Sequence, residues 1–149
     1  MVIWLEDNFG VHCQNPREGL MAVKVACILI EKEGRILLVK DGDFWSLPGG
    51  KIEKGESEIA CMKREVAEEI CEEVISVTRR LPGLFRGISP TRRKNIEVAV
   101  FVGDIAGSGL SQEGEHESCW FAWDNVFSQN LSVITENILK FYLRIKKGE

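Results

Sequence analysis

The residues between 57 and 73 carry the pattern in this sequence that is most suggestive of chemistry. Apolar side chains recur there at spacings of three and four, which predicts a helix with one face turned to the core. They are Ile59, Met62, Val66 and Ile70. A second stripe, turned by roughly a right angle or more, is acidic and consists of Glu65, Glu69 and Glu72, with Glu58 and Glu68 at its edges. Glu65, Glu68, Glu69 and Glu72 each therefore have an acidic neighbour three or four places along the helix.

Two interpretations fit this acidic stripe. Like charges at that spacing destabilise a helix by a few tenths of a kcal/mol per pair, and a solvated face relieved by Lys63 and Arg64 is the structural explanation. The functional explanation is a site for a hard divalent cation, because such ions take oxygen ligands. Gly49 and Gly50 in the preceding loop support it, since glycine lets the backbone approach closely and leaves carbonyl oxygens available to a metal.

The wider spacing around this helix matches a known signature. Gly50 is followed after five residues by Glu56, and after seven more by Arg64-Glu65-Val66-Ala67-Glu68-Glu69. This arrangement resembles the signature of the Nudix hydrolase family and covers residues 50–72. Trp45-Ser46-Leu47-Pro48-Gly49 precedes it, as is common in the family. The resemblance implies the α+β Nudix fold, in which a mixed β-sheet is sandwiched between α-helices.

The resemblance also implies a role for each charged residue of the signature. Glu65 and Glu69 would be the principal ligands of Mg²⁺ or Mn²⁺, and their spacing of four places both on one side of a helix. Glu68 would be a further ligand or the base that activates water. Arg64 and Glu56 match the family's supporting pair, in which the guanidinium orients carboxylates through directed hydrogen bonds. A purely structural ion pair is compatible with the same two residues.

The reaction implied by the family is attack of water on phosphorus in a nucleoside diphosphate linked to another group, X. Metal ions neutralise charge in such a transition state and align the water with the leaving group. We therefore expect a small nucleotide as the partner, with a nucleoside triphosphate as the leading substrate. ADP-ribose, a nucleotide sugar or a dinucleoside polyphosphate is the alternative substrate. A Nudix domain that binds without hydrolysis is the alternative function.

The sequence departs from the family at the end of the signature. Cys71 stands where the family has glycine, and Glu72 where it has an aliphatic residue. That glycine ordinarily ends the helix in a left-handed conformation, which costs a residue with a side chain about 1–2 kcal/mol. We therefore expect the helix to continue through Glu72 or Glu73, with Val74 and Ile75 supplying the aliphatic contact.

An acidic loop outside the signature is a further candidate for the site. Some family members add a carboxylate from the loop before the last strand, and Glu113, followed by Gly114, most resembles that acid. Glu115 and Glu117 compete with it for the role. An exposed acidic loop without a role in binding is the alternative for all three.

Basic and aromatic residues are candidates for contact with the substrate. Arg92 and Arg93 could meet its phosphates, although a solvated loop explains such residues equally well. Trp45, and with it Phe85 and Phe101, could stack on a base, and packing in the core is the alternative for each.

The rest of the sequence predicts the elements that position the acidic helix. Runs rich in Val and Ile or short apolar stretches predict strands at residues 22–30, 36–39, 74–84, 96–105 and 119–123. The first two are joined by a turn and predict a β-hairpin. Spacings of three and four predict an amphipathic helix over residues 132–146. Residues 1–21 predict an irregular arm or an edge strand, and the whole chain, 1–149, a single domain.

Composition and charge narrow the function. The chain has 149 residues, of which 44% are hydrophobic, as in a folded domain, and its net charge of −4 opposes binding to polymeric nucleic acid. The longest apolar run, Val25 to Ile30, is far short of the roughly 18 residues of a membrane span. No export signal is visible and the five cysteines form no close pair, so we expect a cytoplasmic protein with reduced thiols. Exposed strands and the arm would permit a homodimer.

Overall fold

The computed structural model describes residues 22–89, 91, 93–110 and 112–148, so the predicted arm at 1–21 lies outside the described residues. The strands are β1 (Val23–Leu29), β2 (Glu31–Lys32), β3 (Arg35–Asp41), β4 (Phe44–Ser46), β5 (Gly49–Lys51), β6 (Val74–Arg80), β7 (Phe85–Ile88), β8 (Asn95–Ile105) and β9 (Ser118–Ala122). The helices are α1 (Glu58–Ile70), α2 (Trp123–Val126) and α3 (Val133–Lys146). Of these helices, none is long and apolar enough to cross a membrane.

Two sheets form the framework of the fold. The first has the strand order β5-β1-β8-β6, and β7 also pairs with β8. Its strands β1 and β8 are parallel, with Val25 opposite Val98, whereas its other pairs are antiparallel. The second sheet has the order β2-β3-β4, and β9 also pairs with β3. The α+β architecture with a mixed sheet, predicted from the sequence, is confirmed.

The predicted hairpin between residues 22–30 and 36–39 is wrong, because the chain changes sheet near Ile30. β1 pairs with β5 and β8 in the first sheet, and β3 pairs with β2, β4 and β9 in the second. Neighbouring residues of a strand point to opposite faces, and Ile28 and Leu29 are both fully buried. A strand covered on both faces belongs inside a sheet. Within the described residues, β2 and β3 form a hairpin, and so do β3 and β4.

The other predicted elements are present with slightly different bounds. β6 ends at Arg80, before Pro82, and β7 then forms a separate strand where the sequence predicted none. β8, β9 and α3 agree with the predictions to within one or two residues at each end. β4 and β5 were not predicted, because strands of three residues are too short for an alternating pattern to be recognised.

α1 is rotated relative to the orientation predicted from its apolar stripe. Met62, Val66 and Ile70 are fully buried and pack on one face of the first sheet, as predicted. Ile59, however, is 41% exposed, whereas Cys61 is fully buried and Glu69 is only 7% exposed. The rotation therefore turns an isoleucine out to solvent and brings a glutamate into the molecule. On the opposite face of the first sheet, α3 buries Ile134, Ile138 and Leu139.

A cluster of hydrogen-bond donors around Glu31 fastens the end of α3 to the second sheet. Lys146 Nζ and Trp123 Nε1 each lie 2.6 Å from Glu31 Oε2, and the Tyr142 hydroxyl lies 3.1 Å from Oε1. The rings of Trp123 and Tyr142 stack, with centroids 6.1 Å apart. Burial acts to raise the pKa of Glu31, but the hydrogen bonds from Lys146, Trp123 and Tyr142 outweigh it and lower that pKa. We call these four residues the Glu31 cluster.

Candidate active site

The acidic helix α1 begins at a regular cap. Ser57 is the N-cap, and its hydroxyl accepts a hydrogen bond from the backbone N–H of Ala60 at 3.1 Å. The helix ends at Ile70, because Cys71 adopts the left-handed conformation with φ of 53° and donates its N–H to the Ala67 carbonyl. The predicted continuation through Glu72 or Glu73 is therefore wrong.

Tertiary contacts explain why Cys71 accepts this conformation. The carbonyls of Glu68 and Glu69, left without partners at the end of the helix, accept N–H groups from Glu115 and His116 at 3.1 Å each. These hydrogen bonds offset the roughly 1–2 kcal/mol that a left-handed residue with a side chain costs.

The predicted aliphatic contact after the helix is present in only one of its two members. Val74 is buried, as expected, but Ile75 is 57% exposed. Successive residues of β6 point to opposite faces, so only one of this pair can face the core.

Arg64 compensates for the like charges along α1. Its Nε lies 2.7 Å from Glu56 Oε2 and its Nη2 lies 3.0 Å from Glu56 Oε1, which makes a two-point ion pair. Its Nη1 lies 2.9 Å from Glu65 Oε1 and 3.4 Å from the carboxylate of Glu68. Hydrogen bonds from Arg64, and from the backbone of Glu53, lower the pKa of Glu56 to about 2. The guanidinium thus holds the orientation of three carboxylates.

Glu69 receives far less compensation than its neighbours. The sequence analysis placed the acids of this stripe away from the core, but the Glu69 side chain is buried. Its Oε1 accepts the backbone N–H of Gly49 at 2.9 Å, and its Oε2 lies 3.5 Å from His116 Nε2. Burial, together with the nearby charges of Glu65, Asp41 and Glu115, raises the pKa of Glu69 to about 8 despite the hydrogen bond from Gly49. The surroundings of Glu69 thus stabilise its negative charge much less than Arg64 stabilises the charge of Glu56.

Close approach to neighbouring atoms requires glycine at positions 49 and 50, where the signature begins. A Cβ on Gly50 would lie 2.4 Å from the carboxyl carbon of Glu65, and one on Gly49 would lie 2.3 Å from the carbonyl oxygen of Ala26. Both distances are shorter than any real carbon contact. A side chain at either position would displace the backbone that contacts Glu65 and Glu69.

A cavity of about 460 Å³ opens beside these glycines. One wall is acidic, and its carboxylates are Asp41, Glu65, Glu68, Glu69 and Glu115. The other wall combines apolar side chains with hydroxyls, among them Val25, Cys27, Val98, Ile138, Ser132 and Thr135. Burial raises the pKa of the Cys27 thiol well above its usual range, so that wall carries no thiolate. Among the described lining residues, only Lys51 and His116 can carry a positive charge.

The candidates outside the signature are placed differently from one another. All three glutamates are exposed, but only Glu115 lines the cavity, together with His116, whereas Glu113 and Glu117 do not. Arg93 is exposed and does not line the cavity, although Thr91 beside it does. Arg92 lies outside the described residues.

Trp45 is half-buried, packs against the core and does not line the cavity. Its ring meets Phe121 edge to face, with centroids 5.0 Å apart, and it is absent from the residues that line the cavity. The structure thus favours the packing interpretation for this residue.

The sequence analysis missed Asp41, Ser132 and Thr135 as lining residues. Asp41 ends a strand of the second sheet, and the two hydroxyl residues lie at the start of α3. No spacing in the sequence links them to the acidic helix, because only the fold brings these elements together.

The acidic wall suits a hard divalent ion. Within the described ranges no three His, Cys, Asp or Glu side chains form a ready-made metal cage. Mg²⁺ does not require one, since it commonly binds one or two carboxylates and keeps waters or substrate phosphates as its other ligands. The poorly compensated Glu69, with Glu65 one turn away and backbone of Gly49 and Gly50 alongside, offers oxygen ligands of this kind.

Comparison with known proteins agrees with the geometry. A family model described as the NUDIX domain matches residues 20–142. The mRNA-decapping enzyme subunit 2 of Arabidopsis thaliana is 33% identical over 142 residues, which are 93% of this chain and 36% of that protein. An ADP-ribose pyrophosphatase of Methanocaldococcus jannaschii is 31% identical over 126 residues, which are 80% of this chain and 72% of that protein. The chain therefore spans about a third of the length of the first relative and most of the second.

A solved structure gives the same answer for the fold. The MutT NUDIX hydrolase of Burkholderia pseudomallei matches with a TM-score of 0.66 and 25% identity, over 80% of this chain and 97% of that one. The family match contains the whole signature at 50–72 and confirms the prediction made from it. The chain belongs to the NUDIX family and has the MutT-like Nudix fold.

Proposed function

We propose that the chain is a Mg²⁺- or Mn²⁺-dependent pyrophosphohydrolase that cleaves a nucleoside diphosphate linked to X, with a nucleoside triphosphate or related small nucleotide as substrate. The observation that carries this proposal is the state of Glu69. It is a buried carboxylate beside other carboxylates, on the wall of a cavity large enough for a nucleotide. A bound cation would offset the negative charge of that acidic wall and would at the same time attract an anionic substrate.

The residues of α1 divide the work as follows. Glu65 and Glu69 would hold the ion, which would supply positive charge against the phosphates and would make a water more acidic. Glu68, whose side chain is 45% exposed, accepts the proton of the attacking water. Water forms a bond to phosphorus, and the bond from phosphorus to the bridging oxygen breaks. Arg64, fixed by its two-point pair with Glu56, orients Glu65 and Glu68 throughout.

ADP-ribose is the second candidate substrate. It is favoured by the 31% identity to the ADP-ribose pyrophosphatase, which extends over 80% of this chain. Nucleotide sugars and dinucleoside polyphosphates belong to the same chemical class and stay alternatives. We also infer a small-molecule substrate in the cytoplasm, whereas a homodimer stays a prediction from the sequence.

Binding of the metal provides the first test. Calorimetric titration with Mn²⁺ should show binding to the wild-type chain and strongly weakened binding to Glu65→Gln and Glu69→Gln. Glu73→Gln is the matched control, because Glu73 is an exposed acid beside the same helix and its loss changes the charge equally. Equal binding by all four proteins would refute the metal site.

Activity provides the second test. Nucleoside triphosphates, ADP-ribose, nucleotide sugars and dinucleoside polyphosphates should be incubated with the protein and Mg²⁺ or Mn²⁺, and the products identified by chromatography. The proposal expects nucleoside monophosphate from at least one substrate class, with triphosphates fastest. Hydrolysis of ADP-ribose alone would select the second candidate, and binding without turnover of any substrate would indicate a non-catalytic domain.

A further inference from the structure

The connection between β8 and β9 is held against the end of α1 at two places. We use this name for residues 106–110 and 112–117. Its second half contributes Glu115 and His116 to the cavity wall. Its first half is held by the side chain of Glu72, which the helical spacing places in the acidic stripe.

Glu72 is turned away from the cavity and binds backbone. Its Oε1 accepts the N–H of Gly107 at 2.8 Å, and its Oε2 accepts the N–H of Gly109 at 2.9 Å. A Cβ on Gly107 would lie 2.6 Å from Oε2, so the carboxylate lies directly on the glycine backbone. Both oxygens are thereby occupied by the connection. Among the residues that line the cavity, Glu72 is absent.

The second half of the connection rests on the helix backbone itself. A Cβ on Gly114 would lie 2.1 Å from the carbonyl oxygen of Glu69. The next two N–H groups, of Glu115 and His116, cap the carbonyls of Glu68 and Glu69. The position of this half is therefore tied to the same residues that carry the acidic wall.

We propose that Glu72 is a positioning residue of the active site, which holds the β8–β9 connection on the end of α1 and so fixes Glu115 and His116 in the cavity. The effect on turnover rests on the proposed function, whereas the anchoring can be tested without it. In this chain a carboxylate that binds two backbone N–H groups stands where the signature has an aliphatic residue. Glu72 therefore anchors the β8–β9 connection and is not a metal ligand.

Measurements of kcat, KM and Mn²⁺ affinity distinguish a role of Glu72 in positioning the connection from a role as metal ligand. Glu72→Ala should lower kcat about ten- to a hundredfold, because small displacements of positioned groups are costly, while KM and the Mn²⁺ affinity stay within about twofold of the wild type. The kcat of Glu72→Gln should lie between those of the wild type and Glu72→Ala. The amide oxygen can accept only one of the two N–H groups, and the amide NH₂ faces the other. Glu73→Ala is the control of equal charge change and should leave all three quantities unaltered.

A second variant tests the contact from its other side. Gly107→Ala introduces the Cβ that would collide with the Glu72 carboxylate and should reproduce the loss in kcat. Combined with Glu72→Ala, which removes the colliding group, it should add little further loss. Losses that multiply in the double variant would contradict the proposed contact.

Hydrogen exchange measures how firmly Glu72 holds the connection and does not depend on enzyme activity. In the ¹⁵N-labelled metal-free protein, Glu72→Ala should speed exchange at the amides of Gly107 and Gly109 and also at those of Glu115 and His116. Faster exchange at the two glycines alone, with kcat unchanged, would reduce Glu72 to a local structural role and overturn the proposal. Mn²⁺ binding weakened as far as in Glu65→Gln would overturn it as well, by making Glu72 a ligand.

Discussion

Two carboxylates of this molecule, Glu31 and Glu69, lie in opposite electrostatic surroundings. Glu31 receives hydrogen bonds from an ammonium, an indole and a phenol, and its pKa is lowered. Glu69 has a backbone N–H at 2.9 Å and an imidazole at 3.5 Å, and its pKa is raised to about 8 by burial and by other carboxylates. The charge of Glu31 is thus balanced within the fold by the ammonium group of Lys146. Among the described residues, Glu69 has only the imidazole of His116 as a basic neighbour within 4 Å, and such weak compensation is typical of a site that receives a cation from outside.

The largest expected contrast is in turnover. Glu69→Gln should lower kcat with Mg²⁺ by about 10²–10⁴-fold, because loss of a metal ligand removes several kcal/mol of transition-state stabilisation. Steady-state assays on the substrate found by the screen measure it. Glu73→Gln should retain wild-type turnover, and an equally active Glu69→Gln would show that Glu69 is not part of the metal site.

The next contrast is in stability. Glu31→Gln should lower the free energy of unfolding by about 1–3 kcal/mol at pH 7, because an amide replaces the charged acceptor of three donors. A lowered pKa means that this contribution is present above the ordinary pKa of 4.5 and is lost as the pH falls through the folded value. Urea unfolding of both proteins at pH 7 and pH 4 should therefore show a difference that shrinks at the lower pH. If the difference in unfolding free energy were the same at both pH values, the destabilisation would not come from the charge of Glu31.

The same substitution at Glu69 should have the opposite sign in the metal-free protein. A raised pKa means that stability is complete below about pH 4.5 and is lost as the pH rises through about 8. Glu69→Gln avoids this loss and keeps an oxygen for the Gly49 N–H, so its free energy of unfolding should rise by roughly a few kcal/mol at pH 8 and by much less at pH 5. Thermal unfolding in EDTA measures the gain. Destabilisation at pH 8 would mean that Glu69 is better compensated than its surroundings indicate.

The smallest expected effect comes from removing a single donor. Tyr142→Phe deletes the hydroxyl bonded to Glu31 Oε1 but keeps the ring stacked on Trp123. It should destabilise the fold by about 0.5–1.5 kcal/mol and leave Mn²⁺ affinity unaltered. A change in Mn²⁺ affinity would show that the residues around Glu31 and the site around Glu69 are energetically coupled, and so would contradict their separate roles.

The sequence predicted the parts of the site that are local. Residues spaced along one helix, such as Glu65 and Glu69, keep their relation wherever the helix lies, and the signature placed them in one family. The sequence could not predict how far the helix is rotated. That rotation buries Glu69 and exposes Ile59, and it depends on the sheet beneath the helix.

The failures share a cause in tertiary contacts. Propensity alone disfavours the left-handed Cys71, but N–H groups from a connection more than forty residues away cap the helix end. The predicted hairpin failed because β1 finds its partner in β8 and not in its neighbour along the chain. Glu115 rather than Glu113 lines the cavity for a similar reason, since the capping contacts set which residue of the loop faces inward.

The parallel pairing of β1 with β8 also bears on the order of folding. Val25 and Val98 are partners although most of the described chain separates them, whereas the backbone hydrogen bonds within α1 join residues only four positions apart. Closing a long loop costs more entropy than closing a short one, so distant pairings form late. On refolding, the acidic helix can therefore exist before the opposite wall is built. The capacity to retain Mn²⁺ should emerge only in the final kinetic phase, when the central strands join.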